Sequence, residues 1–142
     1  MKSDLRNRFE NLFSKFPGET LMSYFFFFSG ALLAGLAIAI GAYSTHSSAF
    51  DEVQLLWLEK GARYQMYHAI GLLLAGLALA RKRKFQTLTN VAGACFIGGI
   101  ICFSGSLYAM TFTPFEAGYI TPAGGLLFMI GWILLAFGGP GK

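Results

Sequence analysis

A chain of 142 residues with 55% hydrophobic and only 13% charged residues departs from soluble composition, for which about a quarter of residues are charged. Its net charge of +4 does not point to nucleic acid, because the strongest basic block, Arg81-Lys82-Arg83-Lys84, is wedged between apolar runs. Basic clusters in that position orient membrane proteins and attract anionic headgroups.

The N-terminal stretch DLRNRFENLFSKF places Leu5, Phe9, Leu12, Phe13 and Phe16 on one helical face, with Arg6, Asn7, Glu10 and Lys15 largely elsewhere. That pattern predicts an amphipathic helix over residues 1–19, lying in the headgroup plane. Pro17-Gly18 ends it. A membrane domain over 20–142 follows. A span takes about 20 mostly apolar residues, and the runs at about 21–43, 64–80, 88–110 and 119–138 qualify. The second is the shortest and holds His68 near its start. The expected fold is therefore an all-α membrane protein, a bundle of four transmembrane helices with an interfacial amphipathic helix before it. The first apolar run exceeds the 7–15 residues of a signal-peptide core and is read as an uncleaved span.

Between the first two runs, STHSSAFDEVQLLWLEKGAR reads as an outer loop, with a short helix opened at Asp51-Glu52 and ended by Gly61. Lys2, Arg6, Arg8, Lys15, Arg81, Lys82, Arg83, Lys84 and Lys142 fall on one side, whereas Lys60 and Arg63 fall on the other. The positive-inside rule then puts both termini in the cytoplasm. Water cannot drive helices together within lipid, so small residues that permit close approach carry the packing. Gly30 and Gly41 in the first span, Gly98 and Gly105 in the third, and Gly124 and Gly131 in the fourth are the candidate contacts.

FSGSLYAMTFTPFEAGYITP (103–122) reads as a helix end, a turn and a capped helix start. Ser104 and Ser106 return their hydroxyls to carbonyls or bond across to a neighbour. Tyr108 suits headgroup depth. Thr113-Pro114 forbids further helix. Thr121 caps the last helix, with Pro122 at its first position.

The segments GAYSTH (41–46), YQMYHA (64–69), FSGSLY (103–108), ITPAGG (120–125) and GWILL (131–135) together resemble the small four-span membrane family known as domain of unknown function 423, related to transmembrane protein 256 of animals. The resemblance covers about residues 24–138. It implies a bacterial inner-membrane protein with no established biochemical activity. Where the family has Gly-Ala-Phe-Gly-Ala-His, this chain has Gly41-Ala42-Tyr43-Ser44-Thr45-His46.

The candidate functional cluster is polar and placed near the outer interface: His46, Arg63, Tyr64, His68, Ser104, Ser106, Tyr108 and Thr121. Arg63 pairs with Glu59 one turn away or meets an anionic headgroup. His46 and His68 flank the outer loop. Two imidazoles are too few for a protein-built zinc site, so no metal or other cofactor is expected, and haem or metal ligation through that pair is the outlying alternative. Cys95 and Cys102 lie about 10 Å apart along one helix axis, beyond disulfide reach. No Walker loop, nucleophile elbow or zincin motif is present. The expectation is a structural or accessory membrane protein, associated with lipid and with a larger complex or further copies of itself. A small transporter or channel is the alternative.

Overall fold

The computed structural model describes residues 21–81 and 86–138. The amphipathic segment 1–19, the basic residues Lys82 to Lys84 and the C-terminal Lys142 lie outside the described residues. Among the described residues, five α-helices and one π-helical turn follow in order: α1 Leu21–His46, α2 Glu52–Ala80, α3 Gln86–Gly99, the π turn Ile100–Ser104, α4 Gly105–Phe112 and α5 Ile120–Gly138. The chain from Gln86 to Phe112 is continuous helix, so α3, the π turn and α4 make one rod. Among the described residues, Leu21–His46, Gln86–Phe112 and Ile120–Gly138 are long and apolar enough to cross a membrane.

Helix α2 departs most from expectation. The predicted loop helix and the predicted span from residue 64 are one helix of 29 residues, about 43 Å long. Asp51 opens it as expected, through a full capping box: its carboxylate accepts from the Gln54 N–H at 2.8 Å, and Gln54 Oε1 accepts from the Asp51 N–H at 3.1 Å. Gly61 does not end it. A Cβ at Gly61 would lie 2.5 Å from the Tyr108 ring, so this glycine seats a side chain of α4 instead. With Glu52, Glu59, Lys60 and Arg63 in its first half, α2 is not among the three strongly apolar helices.

Contacts fix the relative directions. A Cβ at Gly76 would lie 2.8 Å from the Phe27 nitrogen and one at Gly138 3.0 Å from the Thr89 nitrogen, while Gly93 faces the Phe26 ring. Leu21, Ala80, Gln86 and Gly138 therefore share one end. At the other end Phe50 meets Phe112 edge-on at 5.4 Å, and Gln54 Nε2 donates to the Thr111 carbonyl at 3.2 Å. Successive rods run alternately up and down. Helix α1 packs chiefly on α2 and α5 chiefly on α3, which leaves α2 and the Gln86–Phe112 rod in the middle. The core gathers Phe26, Leu72, Ala75, Leu79, Ala92, Phe96, Ile100, Phe128 and Leu135.

The small-residue expectation divides. Gly30 meets the Ala69 carbonyl, where a Cβ would lie 2.9 Å away; Gly124 meets the Phe103 nitrogen at 2.5 Å; and Gly131 receives the Phe96 ring at 2.7 Å. Gly98 faces only the tip of Leu127 at 3.3 Å. Gly41 has nothing within 4 Å, and Gly105 has only the Ile100 carbonyl at 3.8 Å. Those two do not mediate helix approach: Gly41 looks outward, and Gly105 closes the π turn by donating its N–H to that same carbonyl.

Candidate functional site

Helix α2 carries the polar residues that matter most, at positions four or fewer apart along one stripe. Gln65 is 3% exposed and joins three rods. Its Nε2 donates to the Leu33 carbonyl of α1 at 2.8 Å, while its Oε1 accepts from the Tyr108 hydroxyl of α4 at 2.9 Å. The amide thus uses a donor and an acceptor at once, an arrangement for which Asn and Gln are suited. Tyr108, which the sequence puts at headgroup depth, turns its ring into the bundle. The Gly61 notch lets its ring lie inward, and its hydroxyl ends on Gln65.

Three residues beyond Gln65, His68 is 5% exposed. Its Nδ1 lies 2.6 Å from the Tyr64 carbonyl, one turn back. A carbonyl only accepts, so Nδ1 carries the proton, and in the neutral ring Nε2 keeps its lone pair. The imidazole lies flat against Phe128 of α5, with centroids 3.3 Å apart and planes 6° from parallel. Tyr64, Phe96 and Trp132 surround it at 5.9–6.2 Å. Beside it, an open groove of about 590 Å³ is lined by Tyr64, His68, Phe103, Leu126, Met129 and Trp132, among others.

The second polar contact ties α4 to the start of α5. Ser106 and Thr121 share a hydrogen bond at 2.6 Å, and Ser106 also donates to the Phe103 carbonyl at 2.9 Å. Thr121 therefore does not cap α5 as predicted. The helix already begins at Ile120, with the Ile120 N–H donating to Ala117 and the Ala123 N–H to Tyr119. Pro122 sits third in it, still within the first turn, where a missing N–H forfeits no helical bond. Thr113 behaves as expected: its extended backbone, φ −142° and ψ 161°, stops α4 ahead of Pro114. Ser104 is fully buried in the π turn, and its hydroxyl has no partner among the described residues.

The other candidates lie apart. Arg63 pairs with Glu59 on the exposed face of α2. His46 is exposed at the end of α1. Helix α1 passes α2 with Gly30 opposite Ala69 and Leu73, and with Ser44 and Thr45 opposite Leu55 and Leu56. His68 is therefore level with α1 near residue 32, and His46 stands about 20 Å further along the axis. The continuity of α2 separates them, and the two imidazoles share no site. Gln65 was not among the sequence candidates. Its signal was available, as an amide inside the apolar run of YQMYHA, where a polar side chain requires a partner.

Helices of this length, apolarity and packing define a helical membrane protein. Residues 39–125 match the family model described as "Protein of unknown function (DUF423)". The chain is similar to a UPF0382 membrane protein of Haemophilus influenzae, 40% identical over 111 residues that cover 76% of this chain and 87% of the relative. It is similar to YwdK of Bacillus subtilis, 38% identical over 114 residues covering 78% and 91%. The UPF0382 inner membrane protein YgdD of Escherichia coli is 30% identical over 121 residues covering 83% and 91%. No solved structure matches. The chain belongs to the DUF423 family, whose relatives here are called UPF0382 membrane proteins.

Proposed function

We propose that this protein is a four-span inner-membrane protein without a reaction of its own, a compact structural or accessory bundle that associates with lipid and with a larger membrane assembly. The observation that carries the reading is where the polar groups go. Gln65, Tyr108, Ser106, Thr121 and Thr89 bond to one another or to backbone across the rods, so they hold the bundle together. A transport path needs polar side chains through its whole depth, whereas the core of the half around Phe26, Leu72, Leu79, Phe96 and Leu135 is mainly apolar, and its buried Thr89 is committed to the Gly138 carbonyl. Around the outside, Phe25, Phe28, Ile38, Leu77, Ile101, Leu126, Ile133 and Phe137 are exposed. That apolar surface suits hydrocarbon, and α2 completes the fourth crossing with its segment from about residue 64.

In this reading the end holding Leu21, Ala80, Gln86 and Gly138 faces the cytoplasm, since the sequence segments that precede Leu21, link Ala80 to Gln86 and follow Gly138 carry Lys2, Arg6, Arg8, Lys15, Arg81 to Lys84 and Lys142. Anionic headgroups are its natural partners there; nucleic acid is not. Purification in mild detergent, with co-purifying proteins and lipids identified by mass spectrometry, tests the assignment. Defined lipids and a recurrent protein partner are the expected result. A lone, lipid-free monomer would overturn it. Sidedness is tested by membrane-impermeant labelling of Lys60→Cys and Lys142→Cys in intact cells, with only the first expected to react.

A further inference from the structure

The groove beside His68 has features that the bundle does not need for its own stability. A histidine 5% exposed forms part of the wall. One ring nitrogen is committed to the Tyr64 carbonyl. The other has no hydrogen-bond partner among the described residues, and as argued above it is an acceptor. An unsatisfied acceptor in apolar surroundings is costly unless a donor comes to it. The flanking surfaces are flat and aromatic: Tyr64 and Phe103 have centroids 4.7 Å apart, and Trp132 lies 6.2 Å from His68. The mouth opens on the outward face of α5, where Leu126 and Met129 are each 57% exposed. Gly125 keeps that wall low, since a Cβ there would meet only the Phe103 ring, at 3.9 Å.

The geometry points to a binding site for the ring of a phenolic membrane lipid of the quinol class, entering sideways from the bilayer. The ring stacks among Tyr64, Phe103 and Trp132, its hydroxyl donates to His68 Nε2, and its chain runs out past Leu126 and Met129. A volume of about 590 Å³ falls within the usual range for small-molecule sites, about 300–1,000 Å³. An acyl chain alone would leave the imidazole unsatisfied, and a quinone lacks the donor. The inference rests on the membrane-embedded reading above, yet it fails separately: binding is read on protein in detergent, whereas sidedness and partners are read in cells and extracts.

Three probes separate the components: 4-decylphenol, its methyl ether 4-decylanisole, and decan-1-ol. The full chain carrying Trp57→Phe leaves Trp132 as its one tryptophan, and Trp132 fluorescence reports occupancy. Saturable quenching by 4-decylphenol is expected, with the ether weaker by roughly three- to tenfold, as for the loss of one hydrogen bond, and the alcohol weaker still. Gly125→Leu fills the groove without a backbone clash and abolishes the phenol response. His68→Leu brings phenol and ether to the same affinity. Equal binding of phenol and ether by the unmodified site would overturn the assignment, and so would decan-1-ol matching the phenol, or full binding by Gly125→Leu. The probe comparison requires no change at His68, so it decides the matter even where His68→Leu fails to fold.

Discussion

The two ends of the bundle differ in emphasis: both have close approaches and hydrogen bonds between rods, but in different proportions. At the end that holds Leu21, Ala80, Gln86 and Gly138, helices approach mainly through notches, although Thr89 also donates to the Gly138 carbonyl. Gly76 admits the α1 backbone at Ser23 and Phe27, and Gly93 admits the Phe26 ring. Towards the other end the rods are joined mainly by hydrogen bonds, although Gly61 and Gly124 seat Tyr108 and Phe103 there. Gln65 bonds to Leu33 and Tyr108, Ser106 to Thr121, and Gln54 to Thr111. Dispersion between closely approached surfaces is short-ranged and intolerant of added volume, whereas a hydrogen bond can be lost at modest net cost. Mutational effects are therefore expected to be large in the notched half and moderate in the hydrogen-bonded half.

The sharpest test of that contrast is volume. Gly76→Val forces a Cβ to within 2.8 Å of the Phe27 nitrogen, and Gly30→Val forces one to within 2.9 Å of the Ala69 carbonyl oxygen. The neighbour in each case is backbone, so no side chain can swing aside. Each is expected to destabilise by about 3 kcal/mol or more, measured by reversible unfolding in mixed micelles. Gly41→Ala is the internal control. With nothing within 4 Å, it gains helix propensity of roughly 0.5–1 kcal/mol. If the three behaved alike, the notches would not be what holds the rods together.

That division also marks what the sequence made legible. Apolar runs of adequate length predict α1, the Gln86–Phe112 rod and α5, because hydrocarbon selects length and apolarity and both are written linearly. The sequence divides α2 at Gly61, since a glycine between a charged stretch and an apolar one carries the same letter whether it ends a helix or seats a ring. Its true function depends on Tyr108, which lies 47 positions away in sequence. The small-residue criterion picks out Gly30, Gly124 and Gly131 but equally Gly41, because a glycine in an apolar run does not say what lies against it. Among the polar candidates, Ser106 and Thr121 do meet, and Tyr64 and His68 share the groove wall. His46 and Arg63 stand apart from that wall. Gln65 does not stand out in the sequence, because its neighbours Tyr64, Tyr67 and His68 carry the more conspicuous chemistry.

In the hydrogen-bonded half, Gln65→Leu removes the link between α1, α2 and α4 and leaves the Tyr108 hydroxyl without its acceptor. A loss of about 1–2 kcal/mol is expected. A double-mutant cycle with Tyr108→Phe isolates the Gln65–Tyr108 contact, with an expected coupling of roughly 0.6–1.7 kcal/mol. Zero coupling would mean that the two side chains are held in place by packing alone. In the turn before α5, Gly118 has φ +48° and open space around it. Gly118→Ala is therefore expected to cost about 1 kcal/mol through backbone conformation alone, a value set by neither half's mechanism.

The smallest expected effect concerns the Glu59–Arg63 pair, and it is informative because it is small. Both side chains are about half exposed, 53% and 52%, and they lie one turn apart on the same helix. In water such a pair contributes between zero and about 1 kcal/mol, so Glu59→Gln is expected to shift unfolding by less than about 0.5 kcal/mol, and less still at high salt. A loss well beyond 1 kcal/mol that salt does not weaken would place the pair in a medium of low dielectric. The first half of α2 would then be covered by lipid or by a partner, and the boundary between solvated and embedded helix would have to move toward Glu52.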